Sequence, residues 1–523
     1  MFSAAMVLCL SLLCITGTAL AQAGFEDDRV MLQGFYWESY RHGHERFPKY
    51  GQKKWYEIVH DQAGNIRDAR FDLIWLPPPS FAGETSAGYN PKEYFNLGNS
   101  YGDHNQHRAM LEALLNNGVE PIADIVINHR DGSAGWTGFK NPDWGLWAIT
   151  RGDEAFSACC SDKQLNPGGY TASCSEACGT PEGQRGQEEE SPRDYAWHGG
   201  TTYAYDSFRD IDHTNPQVRR DIIRYLLQLK SLGYRGWRYD MVQGFHARWI
   251  AVYNKATHPT FSVGEYDWNK QGEQRGWAFN TATQKDDLRT ASNVFDFSTY
   301  FLLKDNKGKY LPWYGFGNGV GLVGDSTDGI PWKNRAVTFI KNHDTGYRTH
   351  EDGSPQKGHE DEDFHDNWEV EQAYAQILTH PGVPTVFWKH FFDWNGSLRE
   401  KIKALILARK VAGVHAGSVL HLQSNANAKG IYAARVDGRH GALYVRIGGT
   451  DADWQPSDSS YANYREYAAG DHWKVWVAIA GNPEVAAAAK ALQTKPALPV
   501  PDYRPHETIQ VEDASLRIED ARF

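Results

Sequence analysis

Two acidic residues follow short apolar runs directly, Asp240 after Gly236 to Tyr239 (GWRY) and Glu265 after Phe261 to Gly264 (FSVG), and a third, Asp344, closes Asn342-His343-Asp344 just beyond the run Ala336 to Ile340. If those runs are neighbouring strands, the three acids converge on one pocket. Two carboxyl groups about 5 Å apart, one ionised and one protonated, can break a glycosidic bond with retention: one attacks the anomeric carbon while the other protonates the leaving oxygen. Arg238, two residues before Asp240, projects to the same side of the strand, so its charge is expected to keep that aspartate ionised and its pKa low, as a nucleophile requires. Partial burial and nearby negative charge are expected to raise the pKa of Glu265, as a proton donor requires. One acid after a strand is more often a helix cap or a surface charge; three together carry the inference.

The elements that must position these acids are read from periodicity. Eight short β-branched and aromatic runs recur, at Val30–Tyr36, Leu73–Leu76, Pro121–Ile127, Gly236–Tyr239, Phe261–Val263, Val294–Phe297, Ala336–Ile340 and Thr385–Trp388. Amphipathic segments lie between them. The clearest starts at Asn215 as cap and Pro216 at the first helical position, carries Val218, Ile222, Leu226 and Leu229 on one stripe, and ends at Gly233. Similar helices are predicted near 53–69, 105–117, 367–380 and 398–412. Eight strands with intervening helices predict an α/β fold, a (β/α)8 barrel with its chemistry at the C-terminal strand ends. About eighty residues separate the third run from the fourth, too many for a plain loop, which predicts an inserted domain over 129–209. The barrel then occupies 22–128 and 210–413, and runs such as Gly430–Val436 and Ala442–Ile447 predict a C-terminal antiparallel β domain over 414–482. Residues 483–523, Ala-rich and then Pro-rich and charged, are left without a structural assignment.

Composition sets the partner class. The 523 residues carry a formal net charge of -11, against a nucleic acid or an anionic membrane as partner, since both demand clustered cations. Aromatics make up 13%, and the 19 tryptophans suit the faces of sugar rings as well as a large core. The apolar run over 4–20, ending in Ala19-Leu20-Ala21, reads as a secretory signal over 1–21, with a short membrane anchor as the alternative. Secretion is therefore expected, to the extracellular space or a periplasm. Cys159, Cys160, Cys174 and Cys178 cluster in the insert and imply two local disulfides of open connectivity, a zinc site being the competing reading. His42-Gly-His44 reads as a solvated loop rather than a transition-metal site.

The same residues carry a resemblance. Asp124-Ile-Val-Ile-Asn128-His129, Gly236-Trp-Arg238-Tyr-Asp240, Phe261-Ser-Val-Gly-Glu265 and Phe339-Ile-Lys-Asn-His343-Asp344 resemble the four short conserved regions of the α-amylase family in order and spacing, and Asp210-Ile-Asp-His resembles a fifth. Gln33-Gly-Phe-Tyr-Trp37 and Gly382-Val-Pro-Thr-Val-Phe-Trp388 are similar to plant-type and maltooligosaccharide-forming bacterial members. The resemblance spans roughly 28–480 and implies a barrel, an inserted loop domain and a C-terminal β-sandwich. It implies Asp240 as nucleophile, Glu265 as proton donor and Asp344 as a carboxylate that binds sugar hydroxyls. Arg238, His129, His343, Tyr89 and Gln33 are expected to line the substrate, with Tyr89 stacking on the sugar. A structural calcium is implied on Asn128, Asp210 and the Gly244 carbonyl, with a further acidic ligand from the insert for which Asp194 and Asp206 compete; oxygen donors suit such a hard cation. Gln243 stands where relatives commonly carry Lys or Arg. The expected activity is endo-hydrolysis of α-1,4-glucan by a monomer, an exo-acting maltooligosaccharide-forming enzyme being the runner-up. A catalytically inactive carbohydrate-binding homologue would lack the acids, and all three are present.

Overall fold

The computed structural model describes residues 26–43, 50–135, 137–151, 153, 186, 208–266, 271–284, 287–317, 321–350, 352–457, 464–478 and 495–517. The signal-like segment, the four clustered cysteines, His44, Asp194, Asp206 and residues 479–494 lie outside them.

Within them, short apolar runs and amphipathic helices alternate as the periodicity predicts, and the strands close on themselves. The barrel strands are β1 (Met31–Gln33), β2 (Leu73–Leu76), β3 (Glu120–Ile125), β6 (Gly236–Tyr239), β7 (Phe261–Gly264), β8 (Asn293–Phe295), β9 (Ala336–Thr338) and β10 (Val383–Phe387), all parallel, with β10 pairing back onto β1. Each is followed by a helix: α1 (Trp55–Asp68), α2 (His104–Asn116), α3 (Pro216–Leu232), α4 (Ala247–Thr257), α5 (Gln271–Asn280), α6 (Phe297–Asp305), α7 (Asn367–Thr379) and α8 (Gly396–Ala412). Strands of three to six residues suffice because a barrel strand needs only to cross the core. Several are shorter than the apolar runs that announce them: Val30–Tyr36 pairs only over β1, and Ala336–Ile340 only over β9. Beyond the last ladder bond these chains stay buried but bend, and they become the loops that carry the site. The last strand starts two residues earlier than its apolar run, at Val383, and includes Pro384 paired with Thr338.

Helix ends follow local chemistry. Asn215 Oδ1 accepts the Gln217 N–H at 2.8 Å, Pro216 opens α3, and Gly233 at φ 137° closes it. Asp103 and Gln106 cap α2 reciprocally. The tryptophan surplus serves mostly the core: Trp55, Trp75, Trp237, Trp277, Trp313, Trp388 and Trp473 are fully buried.

A two-stranded ribbon, β4 (His129–Arg130) with β5 (Arg209–Asp210), ties the two ends of the inserted segment together. After α8 a five-stranded antiparallel sheet follows: β11 (Val419–Leu422), β12 (Tyr432–Asp437), β13 (Ala442–Ile447), β14 (Tyr464–Gly470) and β15 (Trp473–Ala478), in the order β11-β12-β13-β15-β14. It docks on α7, where Glu371 accepts the Trp473 indole N–H at 3.1 Å and the His380 ring lies 2.6 Å from the Tyr432 hydroxyl.

The tail, unassigned from sequence, returns to the barrel over 495–517. Leu498 N–H bonds to the Leu115 carbonyl at 2.8 Å, His506 stacks on Phe95 at 3.9 Å, and Gln228 donates to the Tyr503 hydroxyl at 3.0 Å. Its start is pinned at Asp72, just before β2, which pairs with Lys410 of α8 and Lys495 of the tail at 2.7 Å each. Burial alone would raise this carboxyl, but the two ammonium groups bring it down to about 2. A depressed folded-state pKa contributes stability above the unfolded value near 4, lost as pH falls through the folded one. Asp72→Asn is therefore expected to lower the thermal unfolding midpoint at pH 7 by roughly a few degrees. That deficit should close between about pH 4 and pH 2; a deficit independent of pH would show that the ion pairs do not carry the effect.

Candidate active site

Register decides which side chains meet. In the parallel pair β3–β6, Asp124 lies opposite Arg238, and in β6–β7, Tyr239 lies opposite Gly264. One residue further on, Asp240 and Glu265 leave the barrel rim side by side, and the Glu265 N–H still bonds to the Tyr239 carbonyl at 2.9 Å. Met241 then adopts a left-handed conformation (φ 44°, ψ 51°), a strained turn for a side chain of that size that ends the strand abruptly after Asp240.

Arg238 is fully buried beneath this rim. Its Nη1 donates at 2.7 Å to Asp124 Oδ1 and at 2.7 Å to Asp240 Oδ1, and its Nη2 lies 2.7 Å from Glu265 Oε2. Its guanidinium also rests 4.8 Å from the Trp75 ring centre. One planar guanidinium thus bridges Asp240 and Glu265, which keeps the bridged oxygens within roughly 8 Å of each other. This corrects one expectation. Shared among three acids and opposed by burial, the arginine does not bring Asp240 below the ordinary carboxylate range: desolvation pushes that carboxyl up, Arg238 and His129 only partly offset it, and Asp124 and Asp344 add to the rise. Asp124 is raised by burial too, although Arg238, Tyr89 and Trp75 all stabilise its charge.

Asp344 faces this group from the loop after β9. Its Oδ2 lies 2.8 Å from His343 Nε2, its Oδ1 accepts from Arg348, and its side chain keeps 38% of its surface exposed. Burial would raise this carboxyl, but His343 and Arg348 hold it well below the usual range. Gln33 Nε2 donates to His343 Nδ1 at 2.9 Å, which leaves the ring proton on Nε2, facing Asp344. Burial lowers the pKa of His343, so it acts as a neutral donor. Tyr89 lies parallel to His343 at 5.1 Å and to Trp37 at 5.9 Å, with its hydroxyl on Asp124 at 2.9 Å. His129 Nε2 donates to the Tyr89 carbonyl at 2.8 Å. A cavity of 480 Å³ opens beside Asp344, with Phe297, Tyr300, His359 and Asp363 in its wall.

The residues expected to hold a cation also meet. Asn128 Nδ2 donates to Asp210 Oδ1 at 3.1 Å, while its buried Oδ1 has no hydrogen-bond partner among the described residues. Gly244 packs so closely there that a Cβ on it would stand 1.9 Å from Asn128 Oδ1. Asp153, buried and from the insert, accepts the Asp210 N–H at 2.8 Å.

The structure therefore gathers Asp240, Glu265 and Asp344 with Arg238, His129, His343, Tyr89 and Gln33 at one barrel mouth, and Asn128, Asp210 and Gly244 in a second cluster next to it. Three participants lie outside the sequence expectation. Asp124 had a signal, an acid in the middle of a buried apolar strand, and Trp37 stands in the Gln33–Trp37 motif without a role of its own. Arg348 had none, since its place depends on Trp37, far away in the sequence.

Comparison with known proteins agrees with this geometry. Residues 59–265 match the family profile described as alpha amylase, catalytic domain, and residues 411–477 match that described as alpha-amylase C-terminal beta-sheet domain. The chain is 29% identical to probable alpha-amylase 2 of Arabidopsis thaliana, over 86% of this chain and 93% of that protein. It is 28% identical to the glucan 1,4-alpha-maltotetraohydrolase of Roseateles saccharophilus, over 80% and 68%. Among solved structures, an alpha-amylase from Geobacillus thermoleovorans complexed with acarbose superposes with a TM-score of 0.58 at 12% identity, covering 86% of this chain and 98% of that one, a likeness of fold. With the closed barrel, the three acids at its mouth and both domain profiles in order, the chain belongs to the α-amylase family of glycoside hydrolases.

Proposed function

We propose that this protein is a retaining, endo-acting hydrolase of α-1,4-glucosidic bonds in starch, glycogen and maltooligosaccharides. The observation that carries it is the bridging of Asp240 and Glu265 by one guanidinium, with Asp344 across the same pocket. An Asp240 oxygen attacks the anomeric carbon as the glycosidic C–O bond breaks, and Glu265 gives its proton to the departing oxygen. A glycosyl ester on Asp240 results. Glu265, now ionised, takes a proton from water as that water attacks the same carbon, and Asp240 leaves as a carboxylate. Asp344 and the neutral His343 hold hydroxyls of the reacting glucose, with Tyr89, His129 and Gln33 around it. The maltotetraohydrolase relative supports an exo-acting second reading, which a product series over time on amylose separates from the first.

Asn128 Oδ1, Asp210 and the Gly244 carbonyl are oxygen donors that would hold a calcium ion, and the orphaned buried Oδ1 is the feature an ion would satisfy. Bound there, calcium would supply charge that ties the inserted segment to the loop after β6, outside the proton and bond exchanges above. The apolar segment over 4–20 and the cysteine cluster support secretion with two disulfides.

Asp240→Asn is expected to lower the hydrolysis of soluble starch by roughly a thousandfold or more while the protein still binds maltoheptaose. The first products should carry the α anomeric form; β products would overturn retention. Because the Asp240 carboxyl is raised, protonation disarms it as pH falls, so the acidic limb of kcat/KM should lie above about pH 4, the range of a free aspartate. Calcium removal by a chelator should lower the thermal midpoint of the wild type by several degrees and that of Gly244→Ala much less, since a Cβ there displaces Asn128. Equal shifts in both would place the ion elsewhere.

A further inference from the structure

We infer that Arg348 is a positioning residue that acts on the substrate through Asp344. It rests on the assignment of Asp344 as a sugar-binding carboxylate. Arg348 sits four residues beyond Asp344, is buried, and donates Nη2 to Asp344 Oδ1, while His343 holds Oδ2 from the other side. Both oxygens are thereby fixed from flanking directions, and the carboxylate, more than a third exposed, presents its remaining lone pairs to the cavity beside it. A carboxylate held by only one neighbour could turn about its last bond and would have to be ordered by each incoming sugar; one held by two is already in place.

The arginine is itself held. Its guanidinium lies on the face of Trp37 with 4.1 Å between centres, an attraction worth most where water is excluded. The chain at 348–350 is fixed by the turn that carries Trp37: Glu38 accepts the Thr349 N–H at 3.0 Å, and Arg41 donates to the carbonyls of Thr349 at 2.6 Å and His350 at 2.9 Å. The Arg348 N–H bonds in turn to the His359 carbonyl at 3.1 Å. The indole that stacks with Tyr89 is thus also the bed of the cation that orients Asp344. Arg348 is not part of the bond exchanges; it sets where Asp344 stands.

The test is a double-mutant cycle on ligand binding in the turnover-deficient Asp240→Asn protein, with maltoheptaose as probe. Adding Arg348→Gln should weaken binding roughly tenfold, the scale of a lost charge-assisted hydrogen bond and its orienting effect. Adding Arg348→Gln to a protein that already carries Asp344→Asn should weaken it no further, because the residue through which the arginine acts is gone. Arg348→Lys keeps the charge without the flat stack and should recover most of the loss. The same weakening with and without Asp344, or no weakening by Arg348→Gln, overturns the inference. Should Arg348→Gln fail to fold, Arg348→Lys serves in the same cycle, with a smaller weakening expected only where Asp344 is present. Failure of the underlying assignment looks different: Asp344→Asn alone would then leave maltoheptaose affinity unchanged.

Discussion

Arg238 is a cation removed from water at the centre of the barrel mouth, and the arrangement above it follows from how that cost is met. A buried charge is tolerated only when paired and hydrogen-bonded, and leaving one partner alone in such a pair costs about 3–5 kcal/mol. Here the partners are Asp124 from β3, Asp240 just after β6 and Glu265 just after β7, each at 2.7 Å, with Trp75 from β2 against the guanidinium face. Four consecutive positions around the sheet are thus committed to one side chain. A pair of acids that would repel each other in isolation is held adjacent because both are drawn to the same group.

That attraction is distributed, which explains the direction of the Asp240 shift. One arginine serves three carboxylates, and a fourth, Asp344, faces them with Arg348 as its own counter-charge. Four acids against two guanidiniums leave a surplus of negative charge in a desolvated place. Burial therefore raises Asp124 and Asp240, whereas Asp344, with a private arginine and a neutral histidine donor, goes the other way. Environment rather than residue type separates the carboxylates, the condition under which groups of one kind take different parts in a proton-transfer reaction.

Much of this was legible in the chain because it is carried by local pattern. Asp240 and Glu265 follow strand runs directly, and in a parallel barrel with Asp124 opposite Arg238 and Tyr239 opposite Gly264 the residue after each of these two runs must emerge at the same rim. The cap at Asn215, the opening Pro216 and the closing Gly233 are equally local, so α3 could be bounded closely. What escaped is what depends on separation in sequence. That Arg348 rests on Trp37 requires the ends of β1 and β9 to be known neighbours of one pocket, and neither residue has a periodic signature. The tail over 495–517 has no regular period at all; it is fixed residue by residue, by Lys495 on Asp72, Tyr503 on Gln228 and His506 on Phe95. The sign of the Asp240 shift escaped for a related reason: spacing shows that an arginine is near, not how many acids it must serve.

The two clusters at the mouth share one stretch of chain, and this couples the edge of the insert to the reacting pair. Asn128 and His129 are consecutive: the first donates to Asp210 and abuts Gly244, while the second pairs with Asp210 across β4–β5 and donates to the Tyr89 carbonyl. Gly244 closes the short turn that starts at the strained Met241, immediately after Asp240. The contacts of Asn128 therefore run in both directions, to Gly244 in the turn that follows Asp240 and through the adjacent His129 to the backbone of Tyr89. Since Tyr89 also bonds Asp124, the path ends back at the acid that shares Arg238 with Asp240. Whatever fixes the 128–210–244 cluster thus fixes both faces of the pocket at once, while standing apart from the atoms that react.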